Sequence, residues 1–203
     1  KGDNNVLNKV RACWASLFEP RAIFYRNENK FDHFRVGIAV PVQKMINSHT
    51  SGVMFTVDPV TADKKKIVIE AIYGLGELIV QGIESPDQYV VDKYEGEILN
   101  KTIAQQLTML VKEGNKNKVY KVPVKLQKIQ KITNQQILKL AIIGKKLERH
   151  YFFPQDIEWA IENEQIYIVQ TRPVTTIGKR EKPVQQTIKE KPFITGVGAS
   201  PGI

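Results

Sequence analysis

One cysteine, Cys13, and three scattered histidines, His33, His49 and His150, are all that this 203-residue chain offers to thiol or imidazole chemistry. A lone cysteine closes no internal disulfide, which fits a reducing compartment, and the chain is expected to be cytoplasmic. One Cys with three separated His does not make a structural zinc site. No run of about 18 apolar residues exists, so no membrane-spanning helix is expected. The opening Lys1-Gly2-Asp3-Asn4-Asn5 is polar and has no apolar core of a secretory leader. Aromatics are scarce, at 8 % of residues, and the lysine runs, with Tyr120 alone among them, lack the set of base-stacking platforms that single-strand binders require.

What is present is ordinary globular material, with 42 % hydrophobic and 25 % charged residues. The length suits one domain, or one domain and a fragment. Thirty Lys and Arg against 21 Asp and Glu leave a net charge of +9. Such a balance raises the prospect of a nucleic acid, an anionic surface or a phosphorylated ligand. The excess sits in two stretches: Lys112, Lys116, Lys118, Lys121, Lys125, Lys128 and Lys131, then Lys179, Arg180, Lys182, Lys189 and Lys191. Both read as solvated segments, so neither a nucleic-acid nor a membrane partner is expected.

Apolar periodicity predicts a helix over residues 6–18, with Val6, Val10, Cys13, Trp14 and Leu17 on one face, ended by Pro20. Residues 22–26 then read as extended and 34–46 as strand, with Pro41 marking an edge or bulge. Further strands are predicted at 52–57, 67–72, 87–92 and 97–100, the last two flanking a Tyr94-Glu95-Gly96 turn. The lysine-rich stretch 112–131 reads as loop and short strand. Thr133 and Gln136 form a capping box for a helix reaching about residue 150, with Ile137, Leu140, Ala141, Gly144 and Leu147 inward. DIEWAI (156–161) and QIYIVQTR (165–172) are strongly strand-like. From Pro173 to Pro192 the composition shifts to that of a linker.

Three features carry chemistry. Taken as a hairpin, the last two strands place Glu158 opposite Gln170 and Asp156 opposite Arg172 if the turn has three residues, 163–165. In that register Ile166, Ile168, Gln170 and Arg172 share a face. Two carboxylates, an amide oxygen and a guanidinium then form one patch. Oxygen ligands suit Mg²⁺, and an arginine fork suits a transferring phosphoryl group. On spacing alone, a surface hairpin with a cross-strand salt bridge is the simpler reading. The second feature is a strand running into Gly74-Leu75-Gly76-Glu77, with Glu70 and Glu77 adding carboxylates. It is neither a P-loop nor a dinucleotide fingerprint, and a plain turn explains it equally well. The third is VQKMI (42–46), where Gln43 and Met45 share a strand face. Extended backbone there suits an adenine edge, although by itself the run reads as ordinary core strand.

Together these runs carry a specific resemblance. RACWASLFEPRAIFYR (11–26), VPVQKMI (40–46), SGVMFTVDP (51–59), AIYGLGELIVQG (71–82), SPDQYVV (85–91), PQDIEWAI (154–161) and YIVQTRPVTT (167–176) occur in this order. The order resembles the N-terminal nucleotide-binding region of the phosphoenolpyruvate synthase family (pyruvate, water dikinases), shared with pyruvate phosphate dikinases and rifampin phosphotransferases. The resemblance implies an α+β, ATP-grasp fold, of which residues 1–172 are the second subdomain, with a mixed or antiparallel sheet and flanking helices. Residues 173–192 follow as a linker, and 193–203 as the truncated start of a phosphohistidine-bearing swivelling domain.

The resemblance further implies ATP and Mg²⁺ as cofactors. Glu158 and Gln170 become metal–phosphate ligands and Arg172 the phosphate-binding, transition-state arginine. Glu77 lies near nucleotide and metal, Gln43, Lys44 and Met45 form the adenine hinge, and Asp156 supports. The family's first ATP-grasp subdomain, its phosphohistidine motif and its pyruvate/phosphoenolpyruvate barrel are not in this sequence, and none of the three histidines has the family's setting. The expectation is an excised piece that does not turn over ATP alone. Two alternatives stand beside it: the same nucleotide site in a related dikinase or antibiotic (rifampin) phosphotransferase, and a non-enzymatic basic binding module.

Overall fold

The computed structural model describes residues 3–114 and 116–174. The chain divides into two bodies, Lys1–Met45 and Ile46–Ile203.

In the first body, helix α1 spans Asp3–Ala15 and runs through a 3-10 turn, Ser16–Phe18; helix α2 spans Pro20–Glu28. Proline was expected to end the first helix and leave 22–26 extended. Instead Pro20 sits at the start of α2, where its fixed φ is already helical and its lacking N–H costs no bond. Residues 34–46 form no strand. An apolar extended run becomes a strand only when a neighbour satisfies its amides. Here the Phe34 and Arg35 amides turn back on Asp32, Pro41 lacks a donor, and Phe34, Val42 and Met45 are exposed.

The second body is a six-stranded, wholly antiparallel sheet of order β4-β3-β2-β1-β7-β8. The strands are β1 Thr50–Phe55, β2 Lys66–Tyr73, β3 Asp87–Asp92, β4 Ile98–Thr102, β7 Gln155–Glu162 and β8 Gln165–Pro173. Within the stretch expected to hold loop and short strand, β6 Lys116–Lys121 pairs with β5 Thr108–Glu113 as a separate hairpin. A short helix, α3, covers Glu77–Val80, and the long helix α4 covers Asn134–Tyr151. The α+β class therefore holds.

Helix α4 starts where the capping box predicts. Gln136 N–H donates to the Thr133 hydroxyl at 3.2 Å, and Thr133 N–H to the Gln136 side chain at 2.8 Å. Its buried face of Ile137, Leu140, Ala141 and Gly144 packs on one face of the sheet, against Met54, Ile69, Tyr89, Ile157, Trp159 and Ile161. Gly52 makes that packing possible. A Cβ there would stand 1.8 Å from the Glu70 carbonyl oxygen and 2.6 Å from the Trp159 ring. Only glycine lets the three central strands close over a fully buried indole.

The strand alternation that points one set of side chains at the helix turns the other set to the second face, where Val68 is buried and Glu70, Asp156 and Glu158 are partly buried. Register defines two rows across this second face: Gln88–Glu70–Val53–Glu158–Gln170 and Val90–Val68–Phe55–Asp156–Arg172. A small second cluster of Ile72, Leu75, Leu78 and Leu110 closes one end of it.

Candidate functional site

The β7–β8 hairpin reaches the expected pairing by an unexpected route. Its turn has two residues, Asn163 and Glu164, because Glu162 faces Gln165. Both have positive φ, 48° and 64°, the geometry of a type I′ turn that matches strand twist. A two-residue turn alone would put Gln170 on the wrong face. A bulge corrects this: Trp159 faces Ile168 while Glu158 faces Gln170, with Val169 inserted between. The expectation that Ile166, Ile168, Gln170 and Arg172 share a face fails for the same reason. Ile166 and Ile168 pack on the core side, and past the bulge Gln170 and Arg172 are exposed beside the partly buried Glu158 and Asp156. A bulge that re-aims side chains costs a regular ladder, and here it separates a structural half of β8 from a polar half.

The polar half is coherent. Arg172 Nε donates to Asp156 Oδ2 at 2.8 Å, with the arginine side chain 53 % and the aspartate 13 % exposed. Use of Nε leaves both terminal amino groups of the fork for a ligand. Glu158 is half-buried, and burial holds its carboxyl above the ordinary range. The Asp156 charge pushes the same way and Arg172 opposes it. Glu158 thus feels both members of the adjacent ion pair. Glu70 is also held high, first by burial and then by Asp156, while a hydrogen bond from Gln88 works against the shift.

The Glu70–Gln88 pair repeats, two strands away, the acid–amide pairing of Glu158–Gln170 in the same row. Glu70 was legible as an extra carboxylate. Its place in that row was not, because nothing local reports that β2 lies two strands from β7.

Glu77 opens α3, is exposed, and accepts from the Gln81 amide at 3.1 Å. The turn before it folds against the open face. Ser51 Oγ donates to the Gly74 carbonyl at 2.7 Å, and Gly76 lies close to the Ser51 side chain. Gln43, Lys44 and Met45 belong to the first body, in irregular, exposed chain. The strand face expected for Gln43 and Met45 does not exist there. Lys131, read as solvated, is wholly buried with Asp87. Strand β8 runs through Pro173, where the linker was expected to begin; residues 175–203, with the rest of that linker, the second basic stretch and the expected swivelling-domain start at 193–203, lie outside the described residues.

Two oxygen donors from facing strands fit Mg²⁺, which takes one or two protein oxygens and completes its shell with phosphate and water. No group of three His, Cys, Asp or Glu able to hold a metal occurs among the described residues, so a cation on Glu158 and Gln170 would share its shell with its substrate.

One prediction arises from Glu70. Because its carboxyl titrates high, the native state holds that proton more tightly than the unfolded chain. Stability from this group is present at low pH and is lost as pH rises from the ordinary carboxylate value through the raised one. Glu70→Gln removes the charge and keeps a partner for Gln88. The variant should show a higher denaturation midpoint than the parent at pH 7, with the gap narrowing as pH falls through the raised value and closed by about pH 4. Urea titrations across pH check this; a variant less stable at every pH would refute it.

A sheet with one face under a helix and the other lined by acids, amides and an arginine is the build of an α+β nucleotide-binding domain. Residues 1–192 match the family described as pyruvate phosphate dikinase, AMP/ATP-binding domain, and the chain belongs to that family. It is 47 % identical over 207 residues to a probable phosphoenolpyruvate synthase of Methanocaldococcus jannaschii, covering all of this chain and 17 % of that protein. A second probable phosphoenolpyruvate synthase, from Archaeoglobus fulgidus, is 46 % identical over all of the chain and 27 % of the relative. A rifampicin phosphotransferase of Bacillus cereus is 46 % identical over 87 % of the chain and 20 % of its own length. The chain therefore spans less than a third of the curated relatives it matches. No helix among the described residues is long and apolar enough to cross a membrane.

Proposed function

We propose that this chain is the ATP-holding part of a phosphoenolpyruvate synthase. The full enzyme would convert ATP, pyruvate and water into phosphoenolpyruvate, AMP and phosphate, through a phosphorylated histidine carried elsewhere in the longer protein. The observation that carries the reading is the block of Glu158, Gln170, Asp156 and Arg172 on one sheet face, set by the bulge, with Gln170 and Arg172 exposed and the two acids partly buried beside them. In this reading Glu158 and Gln170 hold Mg²⁺. The ion, when bound, neutralises phosphate charge. Arg172, oriented by Asp156, grips the transferring group with its fork, which suits a reaction run by positioning and charge stabilisation. Glu77 borders the nucleotide, and Gln43, Lys44 and Met45 line the adenine. In this reading the enzyme is cytoplasmic.

The relatedness to rifampicin phosphotransferases supports a second reading, in which the same ATP site serves an antibiotic acceptor. The test uses the full-length protein with Mg²⁺, ATP and either acceptor. Phosphoenolpyruvate with equal AMP is the expected product. A phosphorylated rifampicin would transfer the assignment to the second reading, and AMP formation with neither acceptor would overturn both.

A further inference from the structure

The segment Gln106–Leu110 is tied to the loop that presents Glu77 at three points, and the mechanism above leaves it without a role. Tyr73 ends β2, and beside it β3 has stopped, since its first residue, Asp87, faces Ala71. Gln106 supplies the absent neighbour with its side chain. Its amide oxygen accepts from Tyr73 N–H at 2.8 Å, and its amide nitrogen donates to the Tyr73 carbonyl at 3.1 Å and the Thr108 carbonyl at 2.8 Å. The side chain is fully buried. One acceptor and two donors are needed at once, and among side chains an amide meets that demand.

The second tie lies two residues on. Leu75 N–H donates to the Leu110 carbonyl at 2.8 Å, and a Cβ on Gly74, at φ +83°, would stand 2.3 Å from that same oxygen. The third lies past α3, where Glu84 accepts from Thr108 N–H at 2.8 Å, from Leu107 N–H at 3.3 Å and from the Thr108 hydroxyl. From the sheet side, Ser48 and Ser51 both donate to the Gly74 carbonyl.

We infer that Gln106 and Glu84 are positioning residues that hold the Gly74–Glu84 loop so that Glu77 meets the nucleotide in one place. A carboxylate at the head of a four-residue helix has little of its own to fix it. Clamped before and after, it is held ready for its ligand without ordering on arrival.

The inference rests on the reading that Glu77 borders the nucleotide, and the experiment separates the two. In the full-length protein, Glu77→Ala, Gln106→Leu, Glu84→Ala and the Gln106→Leu/Glu77→Ala pair are compared for KM(ATP), kcat and unfolding midpoint. Gln106→Leu and Glu84→Ala should each raise KM(ATP) about tenfold with kcat within about threefold, as loss of positioning rather than of chemistry requires. The double variant should be no worse than Glu77→Ala.

An unchanged KM(ATP) in Glu77→Ala would refute the nucleotide reading of the turn. A raised KM(ATP) in Glu77→Ala with normal values in Glu84→Ala and Gln106→Leu would overturn the positioning role alone. So would additive effects in the pair, because they mean Gln106 acts elsewhere. If burial makes Gln106→Leu fail to fold, Glu84→Ala, which is only partly buried, decides the matter.

Discussion

Arg172→Ala in the full-length protein should lower ATP-dependent histidine phosphorylation by about a thousandfold or more while leaving the fold intact. The two halves of that expectation have separate grounds. The side chain is 53 % exposed and its partner bond to Asp156 lies at the sheet rim. Exposed ion pairs contribute on the order of 0–1 kcal/mol, so the unfolding midpoint should hardly move. The rate should fall because a planar fork over a dispersing phosphoryl charge acts chiefly in the transition state. The loss should therefore appear in kcat, with KM(ATP) moving little.

Arg172→Lys keeps the charge but not the two parallel donors, and should recover only part of the rate. Asp156→Asn should sit between parent and Arg172→Ala, since it loosens the arginine without removing it. The measurement is label transfer from ATP to protein, with melting curves in parallel. Near-normal transfer in Arg172→Ala would remove the arginine from the chemistry and leave the hairpin as a surface salt bridge.

How far the sequence reaches is instructive at this hairpin. The pairs Glu158–Gln170 and Asp156–Arg172 were legible from alternation and a single assumption about the turn. The assumption was wrong and the pairs were right, because a bulge and a shorter turn displace the register by compensating amounts. Periodicity of two cannot reveal such a cancellation. It sees only that both ends of the strand look regular. The central sheet strands and α4 were legible for a simpler reason: burial on one face writes an apolar period into the chain, and Thr133 with Gln136 marks where the helix starts.

In the first body the same apolar signal misled. Residues 34–46 have strand composition without a strand partner among the described residues. A ladder depends on a neighbour, which composition does not supply. Pro20 misled through position: the same ring that stops one helix starts the next. The long-range polar contacts escaped altogether. Gln106 on Tyr73 and Lys131 on Asp87 are meetings of residues 33 and 44 positions apart, and no local pattern encodes them.

That last pair should dominate the stability of the domain. Asp87 and Lys131 are wholly buried and joined at 2.6 Å. The carboxylate also accepts from Ala104 N–H at 2.9 Å, Lys131 N–H at 3.0 Å and the Tyr89 hydroxyl at 2.6 Å. Burial, reinforced by that bond, pushes the Tyr89 phenol well above its usual range, so it stays a donor. The ammonium has fewer alternatives: Asp87, the Ala104 carbonyl at 2.5 Å and the face of Tyr73 at 5.8 Å.

The two truncations should therefore differ. Asp87→Ala strands a buried cation and three donors together, and should cost about 3–5 kcal/mol, a drop on the order of 10 °C in melting temperature. Lys131→Met keeps the hydrophobic stem and leaves Asp87 with its three other hydrogen bonds, so it should cost clearly less. Adding Lys131→Met to Asp87→Ala should restore part of the loss, since it removes the stranded charge. Thermal unfolding of the four proteins decides it. Equal costs for the two single variants, or a double variant worse than their sum, would show that the pair is not the anchor that this geometry requires.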